Sequence, residues 1–93
     1  IDNIMAGRMA ALTLIARGYR KVAFLGGPET ATTTIDRGKG FLSVMEADSE
    51  CSCSTSFATE YSFGAGRKAM LKLMDEELAE AYFCADLLYQ VLM

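Results

Sequence analysis

Apolar and polar positions alternate along the chain with two distinct periods, and the switches between them mark out the elements. Asp2 and Asn3 precede a run in which Ile4, Met5, Met9, Leu12, Ile15 and Ala16 recur at helical spacing, predicting a first helix with one broad apolar face. Arg17 and Gly18 supply its C-terminal signals. Val22 to Leu25 is a short continuous apolar run, predicting a strand buried on both faces, and Gly26-Gly27-Pro28 ends it. The threonine-rich stretch from Glu29 to Thr34 reads as a loop. A second helix is expected from about Ile35 to Ala47, with Phe41, Leu42, Val44 and Met45 on its apolar face. After a turn at Asp48 to Glu50, Cys51, Cys53, Thr55 and Phe57 alternate with polar residues. That period of two predicts an edge strand.

Ser62 is placed to cap a third helix whose Phe63, Ala69, Met70, Leu73 and Met74 point one way. An acidic connector, Asp75 to Glu80, leads to a third strand, Ala81 to Ala85, and Asp86 could cap a last helix, Leu87 to Met93. Strands separated by helices imply right-handed crossovers. The expected fold class is therefore α/β: a three-layer αβα arrangement on a short parallel sheet. Residues 1–93 form a single α/β domain. The start at Ile1, the apolar end at Leu92 and Met93, and the small number of strands suggest a fragment of a longer protein.

Composition then narrows the function classes. At 93 residues and 10.1 kDa the chain holds one domain at most. With 52% hydrophobic residues and a mean hydropathy of +0.19, it is too apolar for a disordered tail. No apolar run approaches the ~20 residues that span a bilayer, so no membrane partner is expected. Net charge is −3, split as +3 over residues 1–40 and −6 over residues 41–93, which argues against a nucleic-acid module. Three cysteines and no histidine cannot supply the four Cys or His ligands of a usual structural zinc site. An odd cysteine count in an apolar context reads as reduced thiols in a cytoplasmic protein.

Catalysis is hard to build from this set of residues. The absence of histidine removes any nucleophile activated by imidazole, and no motif for a metalloprotease, serine hydrolase or P-loop is present. No enzyme, no metal and no cofactor are expected. Glu76, Glu77 and Glu80 read as a solvated helix face. Gly26-Gly27-Pro28 stands where a phosphate loop would, yet lacks its spacing, and a plain strand-ending turn is the simpler reading. Cys51 and Cys53 fall on one face of a strand, as ordinary packing requires.

One constellation points to ligand binding. In open α/β sheets, ligands bind at the C-terminal ends of the parallel strands. Thr33 and Arg37 follow the first strand, Tyr61 the second and Asp86 the third, so four polar or aromatic residues converge on one end of the sheet. A hydroxyl and a guanidinium there suit hydroxyl or carboxylate groups, and an aromatic ring suits the apolar face of a sugar or base. The alternative is that Arg37 pairs with a carboxylate on a neighbouring element and Tyr61 is a surface aromatic.

At these residues a resemblance emerges. Asp2-Asn3-x-x-Ala6-Gly7-x-x-Ala10, Leu14-Ile15-x-x-Gly18-Tyr19-Arg20-Lys21-Val22-Ala23, Gly26-Gly27-Pro28 and Arg37-x-x-Gly40-Phe41 occur in order. Tyr61 with Gly66-x-x-Ala69-Met70, and Tyr82-Phe83-Cys84-Ala85-Asp86, follow. Together they resemble the LacI/GalR (lactose-repressor) family of bacterial transcription regulators over nearly the whole chain. The resemblance implies a periplasmic-binding-protein-like type I fold, in which two subdomains close on a small effector, and this chain would be most of the C-terminal subdomain.

The resemblance further implies ligand-binding roles for Arg37, for Thr33 four positions earlier, and for Tyr61 five residues before Gly66. The segment Ala85-Asp86-Leu87-Leu88-Tyr89-Gln90 departs from the family's pattern, one residue short and without its glycine, and Tyr19 stands where histidine is common. The implied effector is a sugar, sugar acid or purine. A homodimer is implied for the full-length protein, with operator DNA bound through regions outside this chain. Two alternatives are a transport-type sugar-binding protein and a truncated structural or oligomerising domain without ligand.

Overall fold

A computed structural model describes residues 2–85. The predicted last helix, Leu87 to Met93, and Asp86 lie outside the described residues. Helix α1 (Asn3–Ala16) is capped by Asp2, whose Oδ1 accepts from the Met5 N–H at 3.0 Å. It ends in a Schellman turn. Gly18 takes φ +93°, its N–H donates to the Ile15 carbonyl at 2.9 Å, and the Tyr19 N–H donates to the Leu14 carbonyl at 3.1 Å. Strand β1 (Lys21–Gly26), helix α2 (Thr32–Ala47), strand β2 (Ser52–Phe57), helix α3 (Phe63–Glu76) and strand β3 (Ala81–Cys84) follow. Ser62 caps α3 through its hydroxyl, as its position predicts.

All pairings are parallel and the strand order is β2-β1-β3. β1 is thus central and carries a core on each face. Val22 and Phe24 pack with Ala11 of α1 and with Phe41 and Met45 of α2. Ala23 and Leu25 pack with Ala69, Met70 and Leu73 of α3. Three layers result, αβα, as the alternation predicts. Phe24 anchors the larger core, with ring centroids 5.8 Å from Phe41, 6.1 Å from Phe57 and 5.7 Å from Phe83. β2 lies at an edge, as its period-two pattern predicts.

Three expectations are corrected. α2 begins at Thr32, inside the stretch read as loop. Ala31 at its N-cap makes no side-chain cap, and the start is set instead by the Ala31 N–H on the Pro28 carbonyl and by burial of Thr34. On α1, most of the expected apolar face is not the packing face: Ile4, Met5, Met9 and Leu12 are exposed, Ile15 packs against the core, and Gly7 and Ala11 are buried. Likewise Phe63 and Met74 of α3 are exposed, and Ala69, Met70 and Leu73 do its packing. On α1 small residues allow close approach, and periodicity cannot separate them from the larger apolar residues beside them.

The α1 contact with α2 is backbone against backbone. A Cβ added at Gly7 would stand 2.0 Å from the Arg37 carbonyl oxygen, and one at Gly40 would stand 2.0 Å from that of Ile4. Gly38 instead faces the Phe24 ring, where an added Cβ would lie 3.2 Å away.

The acidic connector is also more than a solvated face. Glu80 Oε1 accepts from the backbone N–H groups of Arg20 and Lys21, at 2.8 and 3.0 Å. Glu77 forms an exposed ion pair with Lys21, which raises the Lys21 pKa. Both carboxylates therefore fasten the chain after α3 to the start of the central strand. The two N–H bonds, from Arg20 first and then Lys21, hold the Glu80 carboxyl below its usual 4.5.

Gly40→Ala sets an overpacking cost of about 1–3 kcal/mol against a helix-propensity gain of about 1 kcal/mol. The atom met is fixed backbone, so the cost wins and the urea midpoint falls. Gly64→Ala on α3, where an added Cβ meets nothing within 4 Å, raises it by up to about 1 kcal/mol in stability. For Glu80, the native state binds the proton more weakly than the unfolded chain. Its contribution is complete above about pH 4.5 and disappears as pH falls through the lower native value. Melting temperatures measured from pH 7 to 3 should fall more steeply below that point for the wild type than for Glu80→Gln.

Candidate functional site

The C-terminal ends of the three strands come together at one end of the molecule, and the loop after β1 is its centre. Gly26 is fully enclosed: a Cβ there would lie 2.9 Å from Phe24, Phe57 and Thr34 side-chain atoms. The Gly27 N–H donates to Thr34 Oγ1 at 2.9 Å in a buried bond, tying the loop to the first turn of α2. The Tyr61 ring lies against the same glycine, its Cε1 2.9 Å from where a Cβ would be. The glycines thus admit a threonine hydroxyl and a tyrosine ring close to the main chain. They make a strand-ending turn, the simpler of the two readings.

Arg37 sits just over one turn into α2 and is half-buried. Its Nε donates to Asn3 Oδ1 at 3.1 Å, and its Nη1 donates to the Ala85 carbonyl oxygen. The guanidinium therefore joins the start of α1, the body of α2 and the end of β3. Both recorded acceptors are neutral, and no ion pair to Arg37 occurs among the described residues. The alternative of a neighbouring carboxylate is thus not realised among those residues.

Of the four residues singled out from the sequence, three can be placed. Thr33 lies one turn before Arg37 and is exposed; Arg37 faces the α1 and β3 side; Tyr61, 53% exposed, covers Gly27 at the end of β1. All three follow the C-terminal ends of strands, Thr33 and Arg37 after β1 and Tyr61 after β2. A cavity of about 260 Å³ beside α2 is lined by Thr34, Ile35, Gly38, Leu42 and Phe57, and a second of about 410 Å³ by Thr59, Glu60, Ser62 and Gly64; neither is lined by any of the three. Asp86 lies outside the described residues. Asn3 and Thr34 are additions. Asn3 enters the sequence pattern as a helix cap, and nothing in its spacing announces a bond to a residue 34 positions away. Thr34 belongs to the threonine cluster, but its hydroxyl serves the loop backbone.

The other chemistry available here is unreactive. Burial pushes the Cys53 and Cys84 thiols up to about 11, with Glu46 adding to the shift at Cys53. Burial first, then Asp48, raises Cys51 as well. A thiolate nucleophile is disfavoured at all three positions. No group of three metal-ligating side chains occurs among the described residues.

No protein-family model matches the chain. Among curated proteins it is 30% identical over 76 residues to the HTH-type transcriptional regulator CelR of Thermobifida fusca, across 81% of this chain and 22% of that protein. Among solved structures, a transcriptional regulator of the LacI family from Burkhoderia phymatum matches with a TM-score of 0.79 and 26% identity, over 97% of this chain and 35% of that one. The periplasmic component of an ABC-type sugar transport system from Hahella chejuensis matches with a TM-score of 0.85 and 27% identity, over 98% of this chain and 35% of that one. The chain therefore spans between about a fifth and about a third of these relatives' own lengths. By sequence and by fold, the chain is similar to one part of the LacI-type transcriptional regulators, consistent with a piece of their effector-binding domain.

Proposed function

We propose that this chain is one lobe of an effector-sensing domain, taking a small polar molecule at the C-terminal end of its sheet. Arg37 and Thr33 hold the effector's polar groups, Tyr61 packs on an apolar face of it, and Asp86 completes the set. A sugar, a sugar acid or a purine fits that chemistry. The observation that carries the reading is the state of Arg37. It is a half-buried cation fixed by two neutral acceptors, the Asn3 amide at the start of α1 and the Ala85 carbonyl just after β3. A positioned guanidinium of this kind gives directed, charge-assisted hydrogen bonds.

In the whole protein, effector binding would shift the population of states that bind operator DNA, through a headpiece outside this chain. A cytoplasmic homodimer without catalytic activity is the matching context. The resemblance to a periplasmic transport component supports a second reading, a transport-type sugar-binding protein. Three cysteines, which cannot all pair within the chain, weigh against an oxidising compartment.

The test is nuclear magnetic resonance titration of the chain with three probe classes at millimolar concentration: neutral monosaccharides, sugar acids and purine bases. One class should shift the Thr33, Arg37 and Tyr61 signals saturably. Arg37→Ala should weaken that binding at least ~10-fold, the scale of losing a hydrogen bond to a charged group, and Thr33→Ala by less. Saturable binding untouched by Arg37→Ala, or no shift from any class, overturns the assignment.

A further inference from the structure

We infer that Asn3 is a positioning residue for Arg37, holding the guanidinium in one plane so that its Nη2 edge is presented at the strand ends. The inference rests on the effector reading above for its purpose, and on geometry for its substance. Arg37 is long and carries large rotamer entropy, so a lone arginine at the rim of an open surface would sample many orientations. Here two bonds from two directions restrict it. Asn3 Oδ1 takes the Nε hydrogen at 3.1 Å, and the Ala85 carbonyl takes an Nη1 hydrogen. A planar guanidinium held at Nε and at Nη1 has no remaining freedom to rotate about its own bonds. Nη2 is left without an acceptor among the described residues.

The arrangement also selects a binding geometry. A carboxylate that approaches an arginine from the side uses Nε and the neighbouring Nη together. Asn3 occupies Nε, so that mode is closed, and an effector oxygen must come to the Nη2 hydrogens or to the second Nη1 hydrogen at the far end of the guanidinium. Asn3 is well placed to stay where it is. It is the first residue of α1, directly after the Asp2 cap, and four residues before Gly7, whose contact with the Arg37 carbonyl fixes the distance between the two helices. The amide is neutral, so Arg37 keeps its full charge for a ligand. An aspartate at this position would hold the same hydrogen but neutralise the cation.

The experiment uses the chain labelled with ¹⁵N at arginine, with no effector present, so that its outcome is independent of the effector reading. Arg37→Lys identifies the Arg37 signal among the five arginines. In the wild type, the Arg37 Nε–H should exchange slowly with water, and its two Nη groups should give separate signals through restricted rotation. Asn3→Ala should speed that exchange about tenfold or more and merge the Nη signals, in keeping with loss of a bond to a charged group. Asn3→Asp should keep the slow exchange, because it retains the acceptor. Both variants suit the first turn of a helix, and amide spectra should show the fold unchanged. An Arg37 Nε–H that exchanges as fast as those of exposed arginines, or one that Asn3→Ala leaves protected, overturns the assignment. If the clasp is present and no probe class binds, the effector reading fails while this one stands.

Discussion

The close approach of α1 to α2 sets the geometry on which the candidate site depends. Helices that meet through side chains lie 8–10 Å apart. These two meet through Gly7 and Gly40, each set against the other helix's carbonyl with no room for even a methyl group. The contact works in both directions along the sequence: Gly7 abuts the Arg37 carbonyl, and Gly40, one turn after Arg37, abuts that of Ile4. Arg37 and Asn3 are therefore carried on segments whose separation is fixed by covalent backbone, not by adjustable side chains. The glycine in the Arg37-x-x-Gly40-Phe41 motif is explained by that crossing, and Phe41 beside it points the other way, into the aromatic core under β1.

The sheet divides labour between its two ends. At the N-terminal end, Glu77 and Glu80 bind Lys21 and the backbone of Arg20 and Lys21, fastening the connector after α3 to the central strand. At the C-terminal end the corresponding bonds are made by Thr34 to the loop and by Arg37 to β3. The first set is exposed and ionic. The second is more buried, and its acceptors and donors are neutral apart from Arg37 itself. Between them lies β1, buried from Val22 to Gly26, with Phe24 touching three other rings.

Local signals in the sequence account for much of this architecture. Asp2, Gly18 and Ser62 mark helix ends by chemistry that acts within a few residues, and Val22 to Leu25 announces a strand buried on both faces. What the sequence hides is which apolar residues face inward. Ile4, Met5, Met9 and Leu12 look like a packing stripe, yet the crossing selects Gly7 and Ala11, because closeness of backbones outweighs side-chain size at that contact. The start of α2 is hidden for a related reason. Threonines read as loop formers by their local preferences, and Thr34 escapes that rule through a tertiary bond to Gly27. At the site, the placement of Thr33, Arg37 and Tyr61 at one end of the sheet follows from element alternation and parallel pairing. The bond from Arg37 to Asn3 does not, since it joins residues far apart in sequence and depends on a glycine contact that no period reveals.

Those long-range bonds bear on how binding would be felt by the lobe. Arg37 links α1, α2 and β3, and Tyr61 adds the segment before α3 through its place on Gly27. An effector held by Thr33, Arg37 and Tyr61 would therefore engage groups borne by most elements of the sheet's C-terminal end at once. A ligand stabilises whatever state binds it, by an amount set by its concentration relative to its dissociation constant. In this arrangement the stabilised state is the one in which α1, α2 and the loop before α3 hold their present relation. The beginning of α1, at Asp2 and Asn3, is then coupled to the effector through a single guanidinium and two glycines. Any signal leaving the site by that route depends on the same close crossing that positions Arg37.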